Sequence, residues 1–164
     1  MSVQQIIQTL ENLEKMHRSL LELAFKKTEI VKKGDMEELD VMLKNEQSHV
    51  AAIGTLEQQR QVLVQDYLNA KGIATAGTPT VLDVIEVAES EIERKQLEEV
   101  RKRLMLVIDD LRKQNDLNQK LVFQSLKFVN MTLDLLRPQP SQINYSGDQT
   151  RNAVPKNSSF DSQA

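Results

Sequence analysis

Between Met1 and Thr78 the chain contains no proline, and across that stretch apolar residues recur every three or four positions. Little besides long helices satisfies both conditions, because a 3-4 spacing gathers its apolar residues on one face of a 3.6-residue repeat. Val3, Ile6, Leu10, Leu13, His17, Leu20, Ala24 and Val31 define the first such face, widened by Ile7, Leu21 and Ile30. Lys32 and Lys33, followed by Gly34, put cations in the last turn and a residue tolerant of left-handed geometry just past it. Asp35 with Glu38 three residues on reads as a capping box opening a second helix. Its stripe runs through Leu39, Leu43, Val50, Ile53, Leu56, Leu63 and Tyr67, and Gly72 closes it. Residues 2–72 are therefore expected to form a long antiparallel hairpin, with arms of roughly 50 Å at 1.5 Å per residue.

The interior loop Gly72-Ile-Ala-Thr-Ala-Gly77-Thr-Pro79 comes next. Thr80 with Asp83 predicts a short helix from Val81 to about Glu89, and Ser90 with Glu93 re-caps the chain. From Ser90 to Arg137 runs the longest periodic segment, through Leu97, Val100, Leu104, Val107, Leu111, Leu121, Phe128 and Leu135. Pro138 and Pro140 stop it. Residues 138–164 hold three of the four prolines and no visible period, and are expected to lack fixed structure. The predicted fold is all-α: a long hairpin, a short helix and a third long helix in a coiled-coil-like bundle. Residues 1–137 make the helical domain and 138–164 a flexible C-terminal tail. No segment alternates with the period of two that a strand requires.

Residues 121–136, LVFQSLKFVNMTLDLL, carry ten apolar side chains in sixteen positions. At about 100° per residue, Leu121, Val122, Leu126, Phe128, Val129, Leu133, Leu135 and Leu136 spread over roughly 180°. Met131 widens the arc, and Phe123 falls on the opposite side among Lys127, Asn130 and Asp134. A helix lying on one neighbour needs an apolar stripe of little more than 100°. This segment must bury two faces. It also outruns either hairpin arm by about ten residues, or some 15 Å of helix. Either a self-associating bundle covers the surplus, or an apolar helix from another protein does.

Composition narrows the function. With 21 Lys+Arg against 24 Asp+Glu, the net charge of -3 argues against a nucleic-acid binder that works by neutralising phosphates. The chain has no cysteine, so no thiol nucleophile and no thiolate metal site. No apolar run is long enough to span a bilayer, and the N-terminus does not read as a secretory signal; the expectation is a cytoplasmic protein without membrane insertion. Glu14-Lys-Met-His17 and Glu46-Gln-Ser-His49 have the spacing of di-iron bundles, but two further helices would each have to supply a Glu. The long helix offers only Asp109, Asp110 and Asp116 along its middle, so no metal site is expected. Gly72-x-x-x-x-Gly77-Thr78 lacks the lysine and preceding strand of a phosphate loop. Nothing assembles a nucleophile, base and oxyanion donors, so neither catalysis nor a cofactor is expected. Glu57 and Arg60 read as an intrahelical pair, with an acceptor for Arg60 on the long helix as the alternative. Asn115 and Asn118 interrupt the stripe of the long helix, where polar residues set register.

Several of these residues also resemble a known family. Leu56-Glu57-Gln-Gln-Arg60, Asn115-Asp-Leu-Asn118-Gln-Lys-Leu121, Ser125-Leu126-Lys-Phe128 and Asn144-Tyr145-Ser-Gly147, in this order, are similar to the FlgN-type flagellar export chaperones. The likeness runs from about residue 3 to about residue 150. It implies a helical cytoplasmic chaperone for type III export that holds the C-terminal segment of hook-associated proteins. Such a chaperone prevents premature assembly of its client and docks on the cytosolic domain of the export gate. By match, Asn118, Leu121, Ser125, Leu126 and Phe128 fall in the client-binding helix, and Tyr145 in a docking element around 143–147. The apolar arc adds Val122, Val129, Leu133 and Leu136 to the expected client surface. A homodimer stays open at this point.

Overall fold

The computed structural model describes residues 2–137. Four helices follow in order: α1 (Val3–Lys33), α2 (Met36–Ala70), α3 (Val81–Val87) and α4 (Glu91–Leu136). There is no strand among the described residues, and the all-α expectation holds. The expected tail, with Tyr145, lies outside them.

Local chemistry explains each joint. Gly34 adopts φ 73° and its N–H donates to the Ile30 and Val31 carbonyls, so α1 ends where only glycine is unstrained. The Asp35 side chain accepts from the Glu38 N–H at 3.0 Å and caps α2. At the far end of α2, Ile73 N–H donates to the Leu68 carbonyl and Gly72 N–H to that of Asn69, with Gly72 at φ 72°. This double closure turns the chain, and Ile73 packs back onto the core beside Leu68. Thr80 and Asp83 form a reciprocal capping box on α3, which ends at Val87, two residues short of the sequence expectation. Ser90 caps α4 through the Glu93 N–H.

The helices run up, down and up again. Side-chain pairs Gln4–Gln96, Glu14–Arg103 and Thr28–Asn118 rise together along both chains, so α1 and α4 are parallel while α1 and α2 are antiparallel. The stripe of α1 packs on both, whereas the α2 and α4 backbones do not approach one another among the described residues. The main core lies at the base, where Ile6, Leu10, Leu13, Val64, Leu68, Val84, Leu97 and Val100 are fully buried. There α3 closes the end between α2 and α4. A second, smaller core of Leu23, Ile30 and Met42 joins only α1 to α2.

The α1–α4 seam carries two polar layers. Glu14 is buried and accepts from Arg18 on its own helix and from Arg103 of α4 at 3.1 Å. Burial alone would raise its pKa, but the hydrogen bonds and charges of Arg18 and Arg103 outweigh that and hold the carboxyl below its ordinary value. A depressed carboxylate contributes stability above its unfolded pKa of about 4.3, lost as the pH falls through the lower folded value. Glu14→Gln is therefore expected to cost about 1 kcal/mol near neutral pH, since both arginines are partly solvated. In denaturation series at several pH values, variant and parent should converge in acid.

Higher up, Asn118 is only 3% exposed. Its amide N–H donates to the Ala24 carbonyl at 2.8 Å and its carbonyl accepts from the Thr28 hydroxyl, which also accepts from Gln114. Every polar atom of this layer is matched, so it fixes the register of α4 on α1 without an unpaired group.

Candidate functional site

Above the Asn118 layer α4 outruns its support. Counting from the Thr28–Asn118 pair, Lys33 at the end of α1 stands level with about residue 123 of α4. The remaining turns overhang by roughly 20 Å. Two apolar stripes run along them side by side. Leu121, Phe128 and Leu135 continue the row that packs on α1 lower down, past the point where α1 has ended. Val122, Leu126, Val129, Leu133 and Leu136 form the neighbouring row.

Nearly all of this surface is open. Leu126 is 58% exposed, Phe128 71% and Leu136 74%; Val129, Leu133 and Leu135 are exposed as well. Leu121 and Val122 are half-buried near the end of α1. Ser125 is exposed and its hydroxyl donates to the Leu121 carbonyl at 2.8 Å, leaving an oxygen free to accept from a guest. The expected surplus is thus borne out as exposed apolar surface. A row of large side chains left in water on an otherwise buried-core fold marks an interaction surface.

The lower end of the overhang opens into a groove of about 610 Å³. Leu20 and Lys27 of α1 form its floor, Leu39, Leu43, Glu46 and Val50 of α2 one wall, and Asn115, Asn118, Gln119, Val122, Phe123 and Leu126 of α4 the other. It exists because α2 and α4 both lean on α1 and leave the space between them unfilled. Lys27 and Glu46 pair at 3.2 Å, which neutralises the polar end of an otherwise apolar lining.

Two sequence expectations change here. The spacing puts Leu43 and Val50 on a buried stripe of α2, yet both are exposed, because no second helix covers that stretch among the described residues. Phe123, placed on the opposite face, lines the groove beside Val122 and Leu126. Asn118, expected to touch a client, borders the groove at its base, with its amide engaged in the α1 seam. The warning for α2 is the seven-residue gap between Leu43 and Val50, where Glu46 and Gln47 break the stripe. For Phe123 no sequence signal existed, since its direction follows from where α2 stands.

The polar candidates have local roles. His17 contacts the Leu13 carbonyl at 2.7 Å, and His49 sits between the Asn45 carbonyl and the Ser19 hydroxyl. The partner carboxylates of the two Glu-x-x-His motifs are held by Arg18 and Arg103, and by Lys27. Arg60 binds Glu57 on its own helix, not an acceptor on α4. No described helix is long and apolar enough to cross a membrane.

An all-helical scaffold with a packed apolar core at its base, matched polar layers along one seam and an open apolar groove at its top has the features of a protein-binding module. The chain matches the protein-family model described as FlgN protein over residues 1–153, and it belongs to the FlgN family, a family of flagellar export chaperones. It is also similar to the uncharacterized protein YvyG of Bacillus subtilis (strain 168), with 32% identity over 167 residues and the whole of both chains covered. No solved structure matches the chain.

Proposed function

We propose that this protein is a cytoplasmic chaperone of flagellar type III export that receives the C-terminal helical segment of a hook-associated protein. The guest lies along Leu121, Val122, Ser125, Leu126, Phe128, Val129, Leu133 and Leu136, with the exposed α2 wall as its second support. Asn118 acts beneath this surface, holding α4 in place. The helical part, residues 1–137, is then the client-holding unit, and the stretch around 143–147 the part that serves delivery. Covering the client's assembly segment keeps it from assembling before export.

The observation that carries this reading is the exposed double stripe at the end of α4. Burying about 500 Å² of it would favour binding by roughly 12 kcal/mol before association costs of similar order. Gain and cost so close together suit a reversible complex. Mixing the purified chain with hook-associated proteins and following the mass of the product tests it: a 1:1 complex is expected, and none forming with any of them would refute the reading.

Delivery is assigned to Tyr145, outside the described residues, as the aromatic that meets the cytosolic domain of the export gate. Tyr145→Ala should leave client affinity within about twofold while weakening gate binding by at least about tenfold, the usual cost of losing an aromatic anchor. Equal gate affinity for variant and parent would remove this role.

A further inference from the structure

The open row of α4 is complementary to itself. Its 4-3 spacing, Gln119, Val122, Leu126, Val129, Leu133 and Leu136, is a heptad seam, and it lies beside the row that α1 uses. Laid antiparallel against a second copy, the row pairs Leu126 with the partner's Val129, Val122 with the partner's Leu133, and Gln119 with the partner's Leu136. The flanks agree as well. On one side Asp116 meets the partner's Arg137 and Phe123 meets the partner's Asn130; on the other Ser125 meets the partner's Thr132. No like charges face each other in this register, and each copy contributes the same acid–base pair once in each direction.

Lengths match too. The groove wall on α4 runs from Asn115 to Leu126, and the overhang that would enter it runs from Leu126 to Arg137, so each is about three turns. Asp116 is exposed, and among the described residues Arg137 reaches only Asp134, at 3.8 Å and in solvent.

We infer that two copies of this chain pair antiparallel through the ends of α4, each filling the other's groove. The second copy thereby occupies the surface assigned above to the client, and that competition rests on the proposed function. About 1,000 Å² buried over both copies lies at the lower limit for a specific interface. The dimer is accordingly weak and gives way to a client.

Sedimentation of the full chain alone, from about 1 μM to 1 mM, tests the pairing without any client. A monomer–dimer equilibrium is expected. Asp116→Arg and Arg137→Asp should each weaken the dimer about five- to tenfold, and the two together should restore it to within about twofold of the parent. Leu133→Lys, beyond the end of α1 and exposed, should give a monomer with unchanged helicity. A chain that stays monomeric throughout, or a dimer that none of these changes affects, overturns the inference. Adding a hook-associated protein should then dissolve the dimer; a client bound to an intact dimer overturns the competition. If the dimer responds to the charge exchange but no client binds at all, the pairing stands and the chaperone reading falls.

Discussion

Replacing Leu126 and Phe128 together with serine is expected to lower client affinity by at least about a hundredfold while leaving the fold in place. Each side chain would lose about 1.5–3 kcal/mol of burial that it gains only in the complex, and a hundredfold corresponds to about 2.7 kcal/mol. In the free protein both are exposed, so no described part of the fold relies on them. Stability should fall by no more than about 1 kcal/mol, the combined helix-propensity cost of two serines on a solvated surface. Calorimetric titration with a hook-associated client, beside circular dichroism of the variant, reads both numbers. A folded double variant that binds as tightly as the parent would show that the client uses another surface.

The second large effect concerns stability and contrasts two leucines on one helix. Leu97 is fully buried in the basal core, where α1, α2, α3 and α4 meet. Leu97→Ala should cost about 2–5 kcal/mol through lost burial and the cavity left behind. For a domain with about 5–15 kcal/mol of stability in total, that is a large fraction. Leu126→Ala, on the same helix but past its support, should change stability by no more than about 0.5 kcal/mol. Urea titrations with unchanged slopes and shifted midpoints would give both values. Comparable losses at the two sites would mean that the end of α4 is packed in solution.

These contrasts show which parts of the molecule were legible in the sequence. Gly34, the Asp35 cap, the Thr80–Asp83 box and the Ser90 cap are local events, decided by the backbone needs of neighbouring residues, and the helix boundaries followed within a residue or two. The surplus on residues 121–136 was legible for a similar reason, since the width of an apolar arc depends only on the helical repeat. The second wall of the groove was not. Whether Leu43 and Val50 are buried depends on whether α4 crosses to α2, and that is a relation among three helices which no stripe on one of them encodes.

Asn118 illustrates the remaining difficulty. Its place on the seam suggested register, while the family likeness suggested contact with a client. Its amide N–H is given to the Ala24 carbonyl and its carbonyl accepts from the Thr28 hydroxyl. A buried Asn with both ends bonded is costly to disturb, so it serves the open surface by holding α4 at a fixed height above α1. Arg60 resolves in the opposite way: with α4 out of reach, the nearby Glu57 is its partner.

Amide hydrogen exchange on the free protein and on its complex with a hook-associated client tests the central claim most directly. At a concentration where it is monomeric, the free protein should exchange fast along residues 125–136, where no neighbouring helix is packed among the described residues, and slowly at the base. Client binding should slow exchange over the last third of α4 and the first half of α2, leaving residues around Leu97 unchanged. Slow exchange of that segment in the monomer, or protection gained only at the base, would contradict a guest completing the open end.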